Sequence, residues 1–248
     1  MANKEPKVRV QNLTKKFGDL LVLDNLNFEV EEGEFLCIVG PTGCGKTTFL
    51  NSLTRLYEPT AGDILVNGIP VDPKKQNISY IFQEYSSFPW LTVEQNIRFG
   101  LEIKKTPKEE ADANVEEMLD IVGLTKFRNY YPSQLSISML QRVAIARAFA
   151  TKPELLLMDE PYGQLDIDLR FKLEDELIKL WKKTGTTVLF ITHNIEEAVY
   201  LSQKIMVLTN KPTSVKTVLE NPLPLPRDVV SEEFVALRNK VTDLIKWW

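Results

Sequence analysis

One octapeptide constrains this chain more than any other feature. Gly40-Pro41-Thr42-Gly43-Cys44-Gly45-Lys46-Thr47 fits the pattern GxxxxGK[ST] in full. An apolar run, Phe35–Val39, enters it, and a segment with helical character, read as 47–56, leaves it. A chance glycine-rich turn would lack those flanks. Glycines let the backbone curl round an anion without side-chain clash. The exposed N–H groups and the start of the following helix attract negative charge. The Lys46 side chain is expected to reach the β- and γ-phosphates of a nucleotide, and the Thr47 hydroxyl to bind Mg²⁺. Gly40, Pro41, Thr42, Gly43, Cys44, Gly45, Lys46 and Thr47, with Thr48 behind them, are therefore the candidate nucleotide-binding residues.

Strand, phosphate-binding turn and helix in that order require an α/β fold, and the rest of the chain agrees. Val8-Arg9-Val10 alternates, and Leu21–Val30 is rich in branched and aromatic residues. Further apolar runs stand at Ile64–Val66, Ile78–Phe82, Leu155–Met158, Val188–Ile191 and Ile205–Leu208. Strands interleaved with helices imply a mostly parallel sheet covered by helices. Residues 86–151 differ, with helical patterns over 107–123 and 133–150 and few strand signals. They read as a helical subdomain inserted in the α/β core. From Lys211 onward the chain looks loop-like, and a last helix is expected over about 231–248.

Bulk properties exclude several classes. A net charge of −4 argues against a dedicated nucleic-acid binder. Two cysteines, Cys37 and Cys44, do not make a disulfide framework in 248 residues, and a reduced compartment is expected. No apolar signal core opens the chain, and no run approaches the roughly 18 apolar residues of a membrane span. A role at a membrane would therefore run through partner chains.

A second chemical element is Leu155-Leu156-Leu157-Met158-Asp159-Glu160. An apolar strand ending in two acids suits a Walker B element. Asp159 is the candidate Mg²⁺ residue, and Glu160 the candidate for orienting the attacking water. His193, the only histidine, ends another apolar strand. A lone histidine is commonly structural, but strand ends in a parallel sheet face the ligand crevice. A phosphate contact is the favoured reading.

These elements, with their order along the chain, resemble the ATP-binding cassette (ABC) proteins. Phe82-Gln83-Glu84 resembles the Q-loop, and Leu165-Asp166 the D-loop. Tyr131-Pro132-Ser133-Gln134-Leu135-Ser136, followed by Gln141–Ala148, stands where the family signature belongs. The resemblance implies a P-loop ABC-type nucleotide-binding domain over 1–229, with an antiparallel β-subdomain and a C-terminal helix over 230–248. It implies ATP and Mg²⁺ as ligands, with Phe17 stacking on adenine. It makes Gln83 a Mg²⁺ and water contact, Ser136 a γ-phosphate contact in trans, and His193 the switch histidine. Phe17 as an ordinary core aromatic stays open, as does core packing for Tyr85, Phe88 and Trp90 against a role in a groove for membrane subunits.

The implied partners are a second ATPase subunit, in a homo- or heterodimer, two transmembrane permease subunits and an extracytoplasmic substrate-binding protein, with no nucleic acid. The implied location is the cytoplasmic side of a bacterial membrane, bound peripherally. The signature itself departs from the family's LSGGQ: Leu135-Ser136-Ile137-Ser138-Met139 lacks both glycines. A weakened catalytic site is expected, or a catalytically weak partner in a heterodimer. The stretches 177–181, 186–193 and 195–202, with Pro89-Trp90 and the loop near Pro224–Asp228, are similar to importers of nitrate, sulfonates and taurine. The cargo expected from that likeness is a sulfonate, taurine, nitrate or bicarbonate, with a pyrimidine vitamin precursor as the alternative. Asn194 and Gln203-Lys204 depart from that subfamily, where Asp and Asp-Arg are usual. A chain ending soon after residue 240 leaves no expected room for a regulatory domain. Translation and DNA-repair ABC proteins need a second cassette or a long coiled coil, and neither is seen here.

Overall fold

The computed structural model describes residues 5–84, 86–163 and 165–245. They form two compact units, one from the chain up to Gln76 and from Thr187 onward, the other from Asn77–Thr186.

The first unit holds an antiparallel sheet. Its strands are β1 (Val8–Phe17), β2 (Leu20–Val30), β4 (Ala61–Val66) and β5 (Ile69–Pro70), in the order β2-β1-β4-β5. Gly18, at φ 57°, and Asp19 turn β1 into β2. The same unit holds β3 (Phe35–Val39), β8 (Thr187–Ile191), β9 (Lys204–Leu208) and β10 (Val215–Glu220). β3 pairs in parallel with both β8 and β9, and β10 pairs antiparallel with β9. Every residue of β3 and β8 is buried, and all but Thr187 are apolar, the pattern of a strand covered on both faces. Three helices belong here: α1 (Lys46–Leu53), α6 (Ile195–Leu201) and α7 (Glu232–Ile245).

Two expectations are corrected in this unit. Helix α1 stops at Leu53, because Arg55 takes the left-handed conformation at φ 57°. The chain after Lys211 is not all loop, because β10 forms there. Its residues alternate between half-buried and exposed, and β9 supplies the ladder on one side. An edge strand with polar residues facing out lacks the continuous apolar run that marked the others. The 221–230 segment is a loop with a job. Asn221 donates to the carbonyls of Val199 and Ser202, and Arg227 to those of Tyr200 and Ser202. Together they satisfy the C-terminal end of α6. Burial pushes the Arg227 guanidinium down to about 10. Helix α7 matches the expected last helix, and residues 246–248 lie outside the described residues.

The second unit holds the parallel pair β6 (Ile78–Ile81) and β7 (Leu155–Asp159), with α2 (Val93–Ile103), α3 (Lys108–Ile121), α4 (Ile137–Ala150) and α5 (Ile167–Thr184). Helices α2, α3 and α4 fill the 86–151 stretch with no strand among its described residues. Helix α2 opens on a capping box: the Thr92 hydroxyl accepts from the Gln95 N–H, while the Gln95 side chain accepts from the Thr92 N–H.

Candidate active site

In the first unit the octapeptide wraps the N-terminus of α1. Gly43 (φ 74°) and Gly45 (φ 118°) both adopt backbone angles that L side chains avoid. Gly45 is also packed. A Cβ there would lie 2.9 Å from Val22 Cγ1 and 3.1 Å from Leu23 Cδ2. Gly45→Ala therefore combines backbone strain with a clash against β2. It should cost about 1–3 kcal/mol, measured by chemical denaturation, together with a loss of nucleotide binding.

Lys46 is only 6% exposed. Its Nζ donates to the carbonyls of Gly40 at 3.0 Å and Pro41 at 3.2 Å, so the ammonium is folded inside the loop. Gly40, Pro41 and Cys44 are buried, whereas Thr42, Gly43 and Thr47 are exposed on the rim and Thr48 is half-buried. The loop is closed from behind by Thr213, whose hydroxyl donates to the Cys44 carbonyl. Burial raises the Cys44 thiol above its ordinary pKa, so the thiol stays protonated and unreactive at neutral pH. Cys44 thus serves the loop through its backbone.

His193 lies at the same end of the neighbouring strand. Ile38 of β3 is in register with Ile191 of β8, and the Thr192 N–H donates to the Ile38 carbonyl at 3.2 Å. The phosphate loop and His193 therefore leave adjacent parallel strands at their C-terminal ends, where α/β folds bind ligands. His193 is exposed. Asn194 then caps α6, accepting from the Glu197 N–H at 3.2 Å. Its replacement of the usual aspartate costs little, since both cap well. Phe17, at the end of β1, is 42% exposed and not a core aromatic. Its ring meets Tyr57 edge-on at 5.3 Å.

In the second unit the register Ile81↔Met158 brings the ends of β6 and β7 together. Asp159 ends β7 with Glu160 next to it, and Gln83 stands two residues beyond the end of β6. Asp159 is 3% exposed, and its Oδ2 accepts from the Tyr80 hydroxyl at 3.4 Å. Glu160 is half-buried and sits at φ 45°. A non-glycine residue in that region costs of order 1 kcal/mol or more, and such strain gathers at functional sites. Gln83 is exposed.

Ser136 does not sit at a strand end. It caps α4, its Oγ accepting from the Met139 N–H at 3.3 Å and lying 3.0 Å from Ser138 Oγ. The hydroxyl is thus shared with Ser138, and the neighbouring Ile137 is 50% exposed. Asp166, in the stretch that resembles a D-loop, caps α5, accepting from the Leu169 N–H at 2.9 Å. Among the aromatics after Gln83, Phe88 packs on Phe99 at 4.4 Å and Trp90 at 5.5 Å, and Trp90 is 70% exposed. Tyr85 lies outside the described residues.

Residues 23–163, more than half the chain, match the ABC transporter family. The chain belongs to the ABC transporter family. An uncharacterized ABC transporter ATP-binding protein of Methanocaldococcus jannaschii is 45% identical over 97% of this chain and 91% of its own. An aliphatic sulfonates import ATP-binding protein of Bacillus cereus is 42% identical over 92% of this chain and 90% of its own. A solved dimeric ATP-binding cassette in a post-hydrolysis state, bound to ADP and Pi, aligns at TM-score 0.76 and 33% identity, covering 86% of this chain and 98% of that one. The cbiO1 protein of Clostridium perfringens, part of an ABC transporter complex, aligns at TM-score 0.80 and 25% identity, over 96% and 95% of the two chains. This ABC chain therefore carries a nucleotide-binding ATPase domain of the P-loop class.

Lys15 and Tyr57, both beside Phe17, were missed in the sequence. Nothing in their spacing marks them, because β1 and the segment after α1 meet only in three dimensions.

Proposed function

We propose that this chain is the ATP-hydrolysing subunit of an importer, driving uptake of a small anion of the sulfonate type. The observation that carries the reading is the phosphate loop, with its buried ammonium, its open rim and His193 on the adjacent strand end. Lys46 holds the β- and γ-phosphates, Phe17 takes the adenine, and Glu160 orients and polarises the attacking water. His193 senses the γ-phosphate, while Gln83 contacts the Mg²⁺ or the attacking water and couples the site to partner subunits. Ser136 acts on the nucleotide held by a second cassette.

Thr47 and Asp159 offer the hard oxygen donors that Mg²⁺ prefers. Among the described residues no cluster of three or more His, Cys, Asp or Glu side chains suits a metal ion. That fits an ion which takes few protein ligands and completes its shell with phosphate oxygens. When bound, Mg²⁺ supplies neutralising charge on the phosphates.

We place residues 1–229 in one ABC ATPase domain with the 86–151 insertion and a helix after 230. The chain works as a pair of cassettes on two permease subunits, fed by a substrate-binding protein, at the cytoplasmic face of the membrane. No helix among the described residues is long and apolar enough to cross a membrane itself. The sulfonate class rests on likeness to import proteins. Isolating the complex through a tagged copy tests it. Aliphatic sulfonates should stimulate ATP turnover of the complex with its binding protein, and stimulation by an unrelated solute alone would replace the cargo.

The altered signature weakens the site that it completes. Ile137 puts a branched side chain where the family's glycine lets backbone approach a phosphate. A misplacement near 1 Å costs roughly 100-fold when positioning matters. Ile137→Gly with Ser138→Gly should therefore raise kcat of the complex. An unchanged kcat sinks the idea.

A further inference from the structure

Phe17 is not a free-standing ring. Lys15 Nζ stands over its face, 4.7 Å from the centroid, and 5.9 Å from the centroid of Tyr57. The ammonium is tied in place, since Nζ also donates to the Glu58 carbonyl at 2.7 Å. The Tyr57 ring lies at 86° to Phe17 with centroids 5.3 Å apart. Both rings are about two-fifths exposed. Two exposed aromatics and a half-buried cation converge here.

The surrounding backbone is stitched to the phosphate loop. The Tyr57 N–H donates to the carbonyl of Asn51 in α1, the helix that begins at Lys46. The Thr60 N–H donates to the Thr14 carbonyl, and the Lys16 N–H to the Thr60 hydroxyl. The segment carrying Tyr57 and the carbonyl that anchors Lys15 is therefore zipped to β1 at one end and to α1 at the other. Everything between Phe17 and Lys46 lies in the first unit.

We propose that Lys15 and Tyr57 are positioning residues for nucleotide binding. Lys15 covers one face of Phe17 and leaves the other for the purine. Tyr57 fixes the tilt of the ring. Through α1 the pair sets the spacing between base platform and phosphate loop. A cation over a ring and an edge-to-face neighbour both hold the ring in its orientation. Neither residue touches the phosphates, so the effect should fall on the base alone. The inference rests on the reading that Phe17 receives adenine.

The test compares two probes by calorimetry: Mg-ATP, and inorganic tripolyphosphate, which has no base. Lys15→Met and Tyr57→Ala should each weaken ATP about 3- to 10-fold. Tripolyphosphate should stay within twofold of the wild type, kcat at saturating ATP should be unchanged, and Tyr57→Phe, which keeps the ring, should bind ATP like the wild type. ATP affinity unchanged in both variants would overturn the proposal, as would an equal loss for tripolyphosphate. A wild type that binds no ATP, or a Phe17→Ala variant that binds it normally, would instead overturn the adenine reading beneath it.

Discussion

Lys46→Ala should reduce ATP hydrolysis roughly 100- to 1,000-fold, the loss usual when a preorganised charge donor is removed from a reacting phosphate or oxyanion. The side chain is folded into the loop and donates to the carbonyls of Gly40 and Pro41. It thus stands among the backbone groups that form the cradle, ready to exchange a carbonyl for a phosphate oxygen. Alanine removes the charge and also leaves those two carbonyls without their donor. Lys46→Arg should not rescue. A planar guanidinium is bulkier and needs several partners, and the site leaves only 6% of the lysine exposed. Steady-state phosphate release by the complex measures both variants. Hydrolysis kept within tenfold by Lys46→Ala would remove the lysine's role in catalysis, and the same result for Lys46→Arg would show that any buried cation suffices.

Glu160→Gln is the second large effect. The amide keeps the size of the side chain but cannot accept a proton from water. Hydrolysis should fall about 100- to 10,000-fold, the usual value of a positioned base, while ATP affinity is retained. The residue sits at φ 45°, and glutamine meets the same strain there, so the midpoint of thermal unfolding should hardly move. That separates a chemical loss from a folding loss. A large drop in stability with the drop in rate would make Glu160 a structural residue.

Much of this was legible in the sequence, for physical reasons that differ by element. The octapeptide was readable because phosphate binding needs glycines and a lysine at fixed spacing. Strands β3, β7 and β8 were readable because burial on both faces demands a continuous apolar run, and all three are buried throughout. Strand β10 was missed because only one side of it is paired, and its sequence alternates with polar residues. The expected helix over 47–56 overran α1, because the chain turns at Arg55 and leaves Leu56 60% exposed beyond it. The start of α2 could have been found, since Thr92 and Gln95 stand at capping-box spacing.

The candidate site divides in the same way. Asp159, Glu160, Gln83 and His193 could be nominated from the sequence because each stands at or just after the end of an apolar strand, and strand ends are where such folds bind ligands. Strand register then paired Gln83 with the two acids, and His193 with the phosphate loop, which no spacing in the sequence states. The sharing of the Ser136 hydroxyl with Ser138 is a consequence of the altered signature visible only in three dimensions. Lys15 and Tyr57 are of the same kind.

The most direct test of the central claim is the nucleotide content of the complex isolated through a tagged copy carrying Glu160→Gln and incubated with Mg-ATP. Intact ATP should be retained and phosphate release nearly abolished, with ADP accumulating only in the wild type. A complex that holds no nucleotide, or one that releases phosphate at the wild-type rate, would contradict it.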